Sequence, residues 1–302
     1  MGLRAVYAKT LADLSNPKVL VGFYAPYLVV SGMMALGMSN NEFEGVRSVA
    51  QQEATLASSF LIIAFFLGVG FPFLALVAVL TANTLAREAE LGTLRIVLSK
   101  PTPRWRVLVA TYAAVVSFSA LVALASLLLP TVGLYVWSGA DAAALSGGVF
   151  RWVAPSVAYG VFGAAFVAAV AMAFAVRTED RLKTTLGAFL IPALHFGFLP
   201  IRIMADGLYE DFSLFVIDVN YHFGHAFVLA HELLGTEPGP TAQRQLVELT
   251  GVYEAPAGGA PDTGKSLALV EHVPRELSVL LLVGVGAASL AAALYRFRRM
   301  DV

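Results

Sequence analysis

The sequence contains no cysteine and few charged residues. Of its 302 residues, 14% are charged and 58% are hydrophobic, and the formal net charge is −1. Ordinary soluble domains carry about 25% charged residues. The absence of cysteine excludes disulfide bonds and thiolate chemistry. The scarcity of charge excludes a secreted enzyme and a coiled coil, and the near-neutral balance leaves no basic surface for nucleic acid.

The few charges leave six long segments that contain no Asp, Glu, Lys or Arg. These segments hold between 18 and 34 residues. A bilayer core of about 30 Å needs about 20 helical residues, with about 17 as the lower limit. Runs of this length in lipid indicate helices, because a helix satisfies its own backbone hydrogen bonds. The sequence therefore predicts an all-α integral membrane protein with six transmembrane helices, near 19–38, 56–82, 107–132, 152–176, 184–203 and 277–295.

The distribution of charge predicts the orientation of these spans. Six spans place both termini on one side of the membrane. The segments on that side carry 14 of the 20 Lys and Arg residues but only 6 of the 21 Asp and Glu residues. Because Lys and Arg concentrate in cytoplasmic loops, we expect a multi-pass protein of the cell membrane with both termini in the cytoplasm.

Residues 1–302 are interpreted as a single transmembrane domain. Residues 1–18 have the amphipathic pattern of an N-terminal helix lying at the membrane interface. The long segment 204–276 before the last span is predicted to be external. Within it, residues 212–234 are periodic enough for a helix at the outer surface or dipping into it, whereas the Gly and Pro residues of 235–264 predict a loop.

The predicted cytoplasmic loop 83–106, between the second and third spans, has its own pattern. Gly92 allows the chain to turn, and Thr93 can cap a short helix. Leu94, Val97 and Leu98 form an apolar stripe on one side of that helix. A short amphipathic helix beneath two spans can dock on a cytoplasmic partner and transmit movement to both spans.

Here the sequence resembles the ABC-2 family of ABC transporter permeases, the membrane subunits of type V ATP-driven exporters. The matching residues are the Glu-Leu-Gly-Thr-Leu run from Glu90 to Leu94, then Leu98-Ser99, Pro101 and Arg104. The resemblance implies that 83–106 holds the coupling helix. The residues that it assigns to coupling are Glu88, Glu90, Gly92, Thr93, Leu94, Leu98, Ser99, Pro101 and Arg104.

The resemblance also implies partners. A separate cytoplasmic ABC ATPase subunit would bind ATP and Mg²⁺, so this chain is expected to be no enzyme and to hold no cofactor. A second permease chain, identical or different, would complete the pathway, and no nucleic acid is involved. The alternative is that 83–106 is only a basic connection. The chain would then be a secondary transporter, or a membrane assembly or metal-handling protein without an ATPase. The six uncharged runs contain no carboxylate, which counts against ion coupling.

Four histidines raise separate hypotheses. His195 lies in the middle of the fifth predicted span, where it either lines the pathway or bonds a carbonyl freed by Pro192. His222 and His225 have a spacing that allows them to share a metal ion, and His231 lies nearby in sequence. Alternatively, these three histidines are amphipathic anchors at the membrane surface.

Overall fold

The computed structural model describes residues 2–42, 48–99, 103–254 and 266–300. Regular secondary structure in these residues is helical, apart from one isolated antiparallel bridge between Tyr253 and Leu269. The all-α prediction is confirmed. The α-helices are α1 Leu3–Leu14, α2 Pro17–Glu42, α3 Val49–Ile62, α4 Phe71–Thr81, α5 Arg87–Glu90, α6 Thr93–Leu98, α7 Arg104–Ser138, α8 Ala142–Ala144, α9 Phe150–Thr178, α10 Arg181–Gly197, α11 Leu199–Met204, α12 Asp206–Asp211, α13 Val219–Leu233, α14 Pro240–Thr250 and α15 Arg275–Arg299.

Five helical stretches in the described residues are long and apolar enough to cross a membrane, and they coincide with the second to sixth predicted spans. They are Val49–Glu90, Arg104–Ser138, Phe150–Thr178, Arg181–Arg202 and Arg275–Arg299. The first predicted span falls within α2, a helix of 26 residues. The count of six spans stays a prediction.

The second span is longer than predicted and is not a regular helix. It joins α3, α4 and α5 through two π-helical segments, Ile63–Gly68 and Ala82–Ala86. The predicted start of a loop at residue 83 is wrong, because the helix continues to Glu90. Residues 83–91 contain neither Gly nor Pro, so nothing in the local sequence ends the helix earlier.

A break lies in the middle of this span, at Gly70. A Cβ atom on Gly70 would overlap the carbonyl oxygen of Phe65 and lie 2.6 Å from that of Phe66. Pro72 follows in the first turn of α4, where the ring is tolerated because its missing N–H has no helical partner. The close approach of the backbone therefore requires glycine at position 70.

The helix α9 forms the centre of the bundle and packs against α7, α10 and α15. Two glycines on α9 allow the broken span to approach closely. A Cβ atom on Gly160 would lie 2.6 Å from Val69 Cγ1, and one on Gly163 would lie 3.0 Å from Leu74 Cδ2. Small residues at such positions let membrane helices pack with their backbones close together.

The helices α12, α13 and α14, here called the cap, lie at one end of the bundle. The helix α13 packs against α9, α10 and α15, and its residues Phe223 and Phe227 are fully buried. The predicted helix within 212–234 is confirmed from Val219 onwards.

The loop predicted for 235–264 is wrong over α14. Gly239 is the N-cap of α14, Pro240 is its first residue, and Gly251, with φ of 69°, is its C-cap. These residues therefore begin and end a helix instead of forming a loop. Residues 255–265 lie outside the described part of the chain.

The opposite end of the bundle carries α1, α5, α6 and the C-terminal turn of α15, and is here called the basic end. The helix α15 connects the two ends. Its first residue, Arg275, pairs with Glu232 of the cap. At its other end, the carbonyl of Arg298 accepts a hydrogen bond from Arg104 Nη1 at 3.3 Å.

Candidate functional site

The turn predicted within 83–106 lies at the basic end. Gly92 has φ of 71°, in the left-handed region, and separates α5 from α6. Thr93 differs from the prediction, because Gly92 is the N-cap of α6 and Thr93 is its first residue. The Thr93 hydroxyl donates a hydrogen bond back to the carbonyl of Glu88 at 3.2 Å. It thereby fixes the turn between the two short helices.

Three predicted coupling residues contact three different helices. Glu88 pairs with Lys9 of α1. Glu90 Oε2 accepts a hydrogen bond at 3.4 Å from the backbone N–H of Arg181, the first residue of α10. Arg104, the first residue of α7, donates to the carbonyls of Arg298 and Met300 at the end of α15. These charged residues hold α1, α10 and α15 together around the segment between α4 and α7.

The apolar residues of this segment differ from the prediction. Leu94, expected to face a partner, is 4% exposed and belongs to the protein's own core. Leu91 and Ile96 are 63% and 64% exposed. Among the described side chains of α6 and the turn before it, the exposed apolar surface is therefore formed by these two residues, and Leu94 anchors α6 to the bundle. We refer to Leu91 and Ile96 as the exposed pair.

The remaining predicted coupling residues are Leu98, Ser99 and Pro101, at the end of α6 and after it. Ser99 donates a hydrogen bond to the carbonyl of Ile96 at 2.9 Å, which closes the last turn of α6. The side chain of Leu98 and the whole of Pro101 lie outside the described residues. Their assignment to coupling stays a prediction.

A cavity of about 240 Å³ separates α1 from the segment that contains α5. Its lining includes Lys9, Asp13, Arg87 and Glu88, so both signs of charge are present. The ion pair between Lys9 and Glu88 bridges the two sides of this polar space. This ion pair therefore links α1 to α5 across the polar space.

His195 is fully buried in the interior of the bundle. Its ring lies 5.5 Å from that of Phe65, 4.8 Å from that of Phe196 and 5.3 Å from that of Phe223. Neither ring nitrogen has a hydrogen-bond partner among the described residues. The expectation that His195 bonds a carbonyl freed by Pro192 is therefore wrong, and the pathway hypothesis is the one left open.

The comparison with known families agrees with this architecture. The family model described as "ABC-2 family transporter protein" matches residues 5–302. The chain belongs to the ABC-2 transporter family. The match extends from α1 through α15 and so includes the basic end, the broken span and the cap. No curated protein matches the chain. Membership identifies a membrane transport component that is not itself catalytic.

In this ABC-2 protein, the cap histidines do not gather around a common point. His231 Nε2 lies 3.2 Å from Ser156 Oγ, and its Nδ1 lies 3.0 Å from Thr236 Oγ1. His222 Nε2 lies 2.9 Å from the carbonyl oxygen of Val216. No group of three or more His, Asp or Glu residues in the described chain could hold a metal ion. The described structure thus does not support the metal hypothesis for His222, His225 and His231.

Burial makes the cap sensitive to acid. It lowers the pKa of His231 to about 3 and, with nearby positive charge, the pKa of His225 to about 4, from an ordinary value of 6.5. In the folded state both rings stay neutral as the pH falls through 6.5, whereas in the unfolded state they take up protons. Their contribution to stability is therefore complete above pH 6.5 and is lost below it.

We expect a shift from pH 7.5 to pH 5.5 to cost about 1.4 kcal/mol of folding stability for each of these histidines. The measurement is the thermal unfolding midpoint of the purified chain at both pH values. His231→Gln keeps a neutral polar side chain, and we expect it to reduce the loss between the two pH values. An equal loss in the wild type and the variant would contradict this assignment.

A buried ion pair, which the sequence did not reveal, joins the cap to the end of the fifth predicted span. Arg202 Nε lies 3.6 Å from Asp218 Oδ2, and the two side chains are 7% and 0% exposed. Tyr209 donates its hydroxyl to Asp218 Oδ2 at 2.8 Å. Arg202 Nη2 also donates to the carbonyl of Leu249 in α14 at 2.8 Å. Burial raises the pKa of the Asp218 carboxyl, and Arg202 opposes that effect.

The signal for Asp218 was present in the sequence. Asp218 is the N-cap of α13, and its Oδ1 accepts the backbone N–H of Asn220 at 2.8 Å. An Asp two residues before an Asn at the start of a periodic apolar run is a typical helix start. Its ion pair with Arg202, 16 positions earlier, depends on how the cap packs, so it could not be predicted from the sequence around either residue.

Proposed function

We propose that this chain is the membrane-spanning permease subunit of an ABC-2 exporter, driven by a separate cytoplasmic ABC ATPase. In this proposal the basic end faces the cytoplasm, α2 is the first of six spans, and both termini are cytoplasmic. A second permease chain, identical or different, completes the pathway. The ATPase subunit binds ATP and Mg²⁺, and this chain holds no cofactor.

The observation that carries the proposal is the arrangement of the segment from α5 to α6. The exposed pair offers apolar surface beyond the bundle, as expected of a site that docks on another protein. Behind the exposed pair, Glu88 and Glu90 connect the segment to α1 and α10. Arg104 connects the start of α7, the next helix, to the end of α15. A partner that grips the exposed pair can therefore move several helices at once.

The mechanism follows from these contacts. Closure of the ATPase subunits around nucleotide displaces α6, and Leu94 and the bonds of Glu88 and Glu90 transmit the displacement to the helices that they contact. Arg104 lies where α7 begins and where α15 ends, so both helices respond together. The movement changes which side of the membrane the pathway faces, and substrate is carried outwards.

Replacing the exposed pair tests the docking step. We expect Leu91→Ser combined with Ile96→Ser to reduce co-purification with the ATPase subunit at least tenfold, which corresponds to about 1.4 kcal/mol of binding. The matched control is Leu208→Ser with Val216→Ser. These residues are 53% and 52% exposed at the cap end, and we expect no effect on ATPase binding.

Two outcomes would contradict the proposal. Full ATPase binding and transport by the double variant would show that the exposed pair is not the docking surface. Transport that persists in vesicles without the ATPase subunit would favour a secondary transporter.

A further inference from the structure

Two buried polar side chains, His195 and Tyr159, lie beside the break in the second span, and their polar atoms lack hydrogen-bond partners among the described residues. His195 on α10 is fully buried, and both of its ring nitrogens lack a hydrogen-bond partner among the described residues. Tyr159 on α9 is 1% exposed, and its hydroxyl also lacks a partner there. Buried polar groups in native proteins are nearly always hydrogen-bonded, so each exception calls for an explanation.

Phe65 contacts both members of this pair. Its ring centroid lies 5.5 Å from that of His195 and 5.9 Å from that of Tyr159. Phe223 of α13 contacts the same two rings, at 5.3 Å and 6.1 Å. The pair is thus enclosed by aromatic rings, one from the second span and one from the cap.

The segment that carries Phe65 is the least regular part of the span. Phe65 belongs to the π-helical segment Ile63–Gly68, which ends two residues before Gly70. Single π-helical turns and interrupted membrane helices recur at functional sites. Because the helix is broken on one side of this segment, the segment can change which side chains it contacts while the helices α3 and α4 stay folded.

A structural role does not explain why these positions are polar. An apolar side chain of similar size would fill the same space and would leave no unbonded nitrogen or hydroxyl. Ionisable side chains inside membrane bundles typically mark a path for substrate or ions. The unsatisfied groups therefore point to a bonding partner that is present in another conformation.

We propose that His195 and Tyr159 form a hydrogen-bonding site for the transported molecule, which the segment Ile63–Gly68 covers in this conformation and uncovers at another stage of transport. The inference rests on the proposed function as a permease. The pair itself brings hydrogen-bonding groups and no carboxylate or ammonium, and Phe65, Phe223 and Phe227 surround it with apolar surface. The ligand class is therefore an uncharged amphiphile, with an apolar body and a hydroxyl or amide group.

The absence of cysteine from the chain gives a direct test. His195→Cys and, separately, Tyr159→Cys each introduce a single thiol into the permease in its complex with the ATPase subunit. A charged methanethiosulfonate reagent measures access from water in the nucleotide-free state and in the state trapped with ATP and vanadate. We expect labelling of each thiol to be at least tenfold faster in one of the two states.

Two control thiols set the scale. Ala188→Cys places a thiol at a fully buried position on α10 that is not part of the proposed site. We expect this thiol to be labelled slowly in both states. Thr241→Cys, at an exposed position of α14, should label quickly in both states. If neither His195→Cys nor Tyr159→Cys labels in either state while Thr241→Cys does, the proposal is overturned.

Protection tests the ligand class with monooctanoylglycerol, an uncharged amphiphile with two hydroxyl groups. We expect it to slow labelling of His195→Cys at least threefold and to leave labelling of Thr241→Cys unchanged. Equal labelling of His195→Cys with and without it would overturn the assignment to uncharged amphiphiles. Tyr159→Phe, added to His195→Cys, removes only the unbonded hydroxyl. We expect the combined variant to keep the melting temperature of His195→Cys but to be labelled at the same rate with and without monooctanoylglycerol.

Failure of the inference and failure of the proposed function give different results. If the chain is not a permease of this kind, no stable complex with the ATPase subunit forms. If only the inference is wrong, the complex forms and hydrolyses ATP, while the thiols at positions 159 and 195 remain unlabelled in both states.

Discussion

Gly70→Ala is expected to destabilise the folded chain by about 3 kcal/mol, at the upper end of the range for overpacking a tightly packed site. The added Cβ atom would overlap the carbonyl oxygen of Phe65, and backbone atoms cannot move aside as a side chain can. The second span must therefore straighten or shift against α9. The measurement is the thermal unfolding midpoint of the purified protein, together with the fraction of the chain that is monodisperse.

Gly284→Ala is the matched control, because Gly284 lies inside α15 and a Cβ atom there has nothing within 4 Å. Alanine is favoured over glycine inside a helix, so we expect this variant to be at least as stable as the wild type. Equal melting temperatures for Gly70→Ala and Gly284→Ala would show that the break is not required.

Arg202→Met is expected to cost about 3–5 kcal/mol, the usual result of removing one partner from a buried ion pair. The substitution leaves the fully buried Asp218 carboxyl without its cation, while the Tyr209 hydroxyl and the backbone N–H of Asn220 still donate to it. It also removes the bond to the Leu249 carbonyl, so α14 loses a contact with α11. The measurement is the free energy of unfolding from a denaturant series.

The double variant Arg202→Met with Asp218→Asn separates the charge effect from packing. Because it removes both charges, we expect it to recover at least half of the stability lost in Arg202→Met. Arg275→Gln is the control for a more exposed pair, since its partner Glu232 is 27% exposed, and we expect a loss below about 1 kcal/mol. Additive losses at positions 202 and 218 would contradict a direct interaction.

The positions of most spans could be predicted because of a single constraint. Charged side chains are excluded from lipid, so the uncharged runs between Glu53 and Arg87 or between Arg106 and Asp141 mark the helices directly. The turn at Gly92 could be predicted for a similar reason, since glycine readily adopts a positive φ.

The interior of the spans could not be predicted in the same way. The sequence around Gly70 forms one apolar run, and hydropathy does not distinguish a straight helix from one with a π-helical segment and a break. The burial of Leu94 and exposure of Ile96 depend on how α6 is rotated against the bundle, which its short apolar stripe did not reveal. In the cap, Gly239, Pro240 and Gly251 have the composition of a loop, but they are the two ends of α14.

The docking of the exposed pair on a cytoplasmic ATPase is the central claim, and cross-linking tests it most directly. In the cysteine-free chain, Ile96→Cys carries the only thiol, which a maleimide–benzophenone reagent converts into a photoactivatable group. We predict that illumination of the assembled complex joins position 96 to the ATPase subunit, whereas the same reagent at Thr241→Cys yields no such adduct. An adduct from position 241, or labelling of position 96 only from outside the cell, would contradict the account.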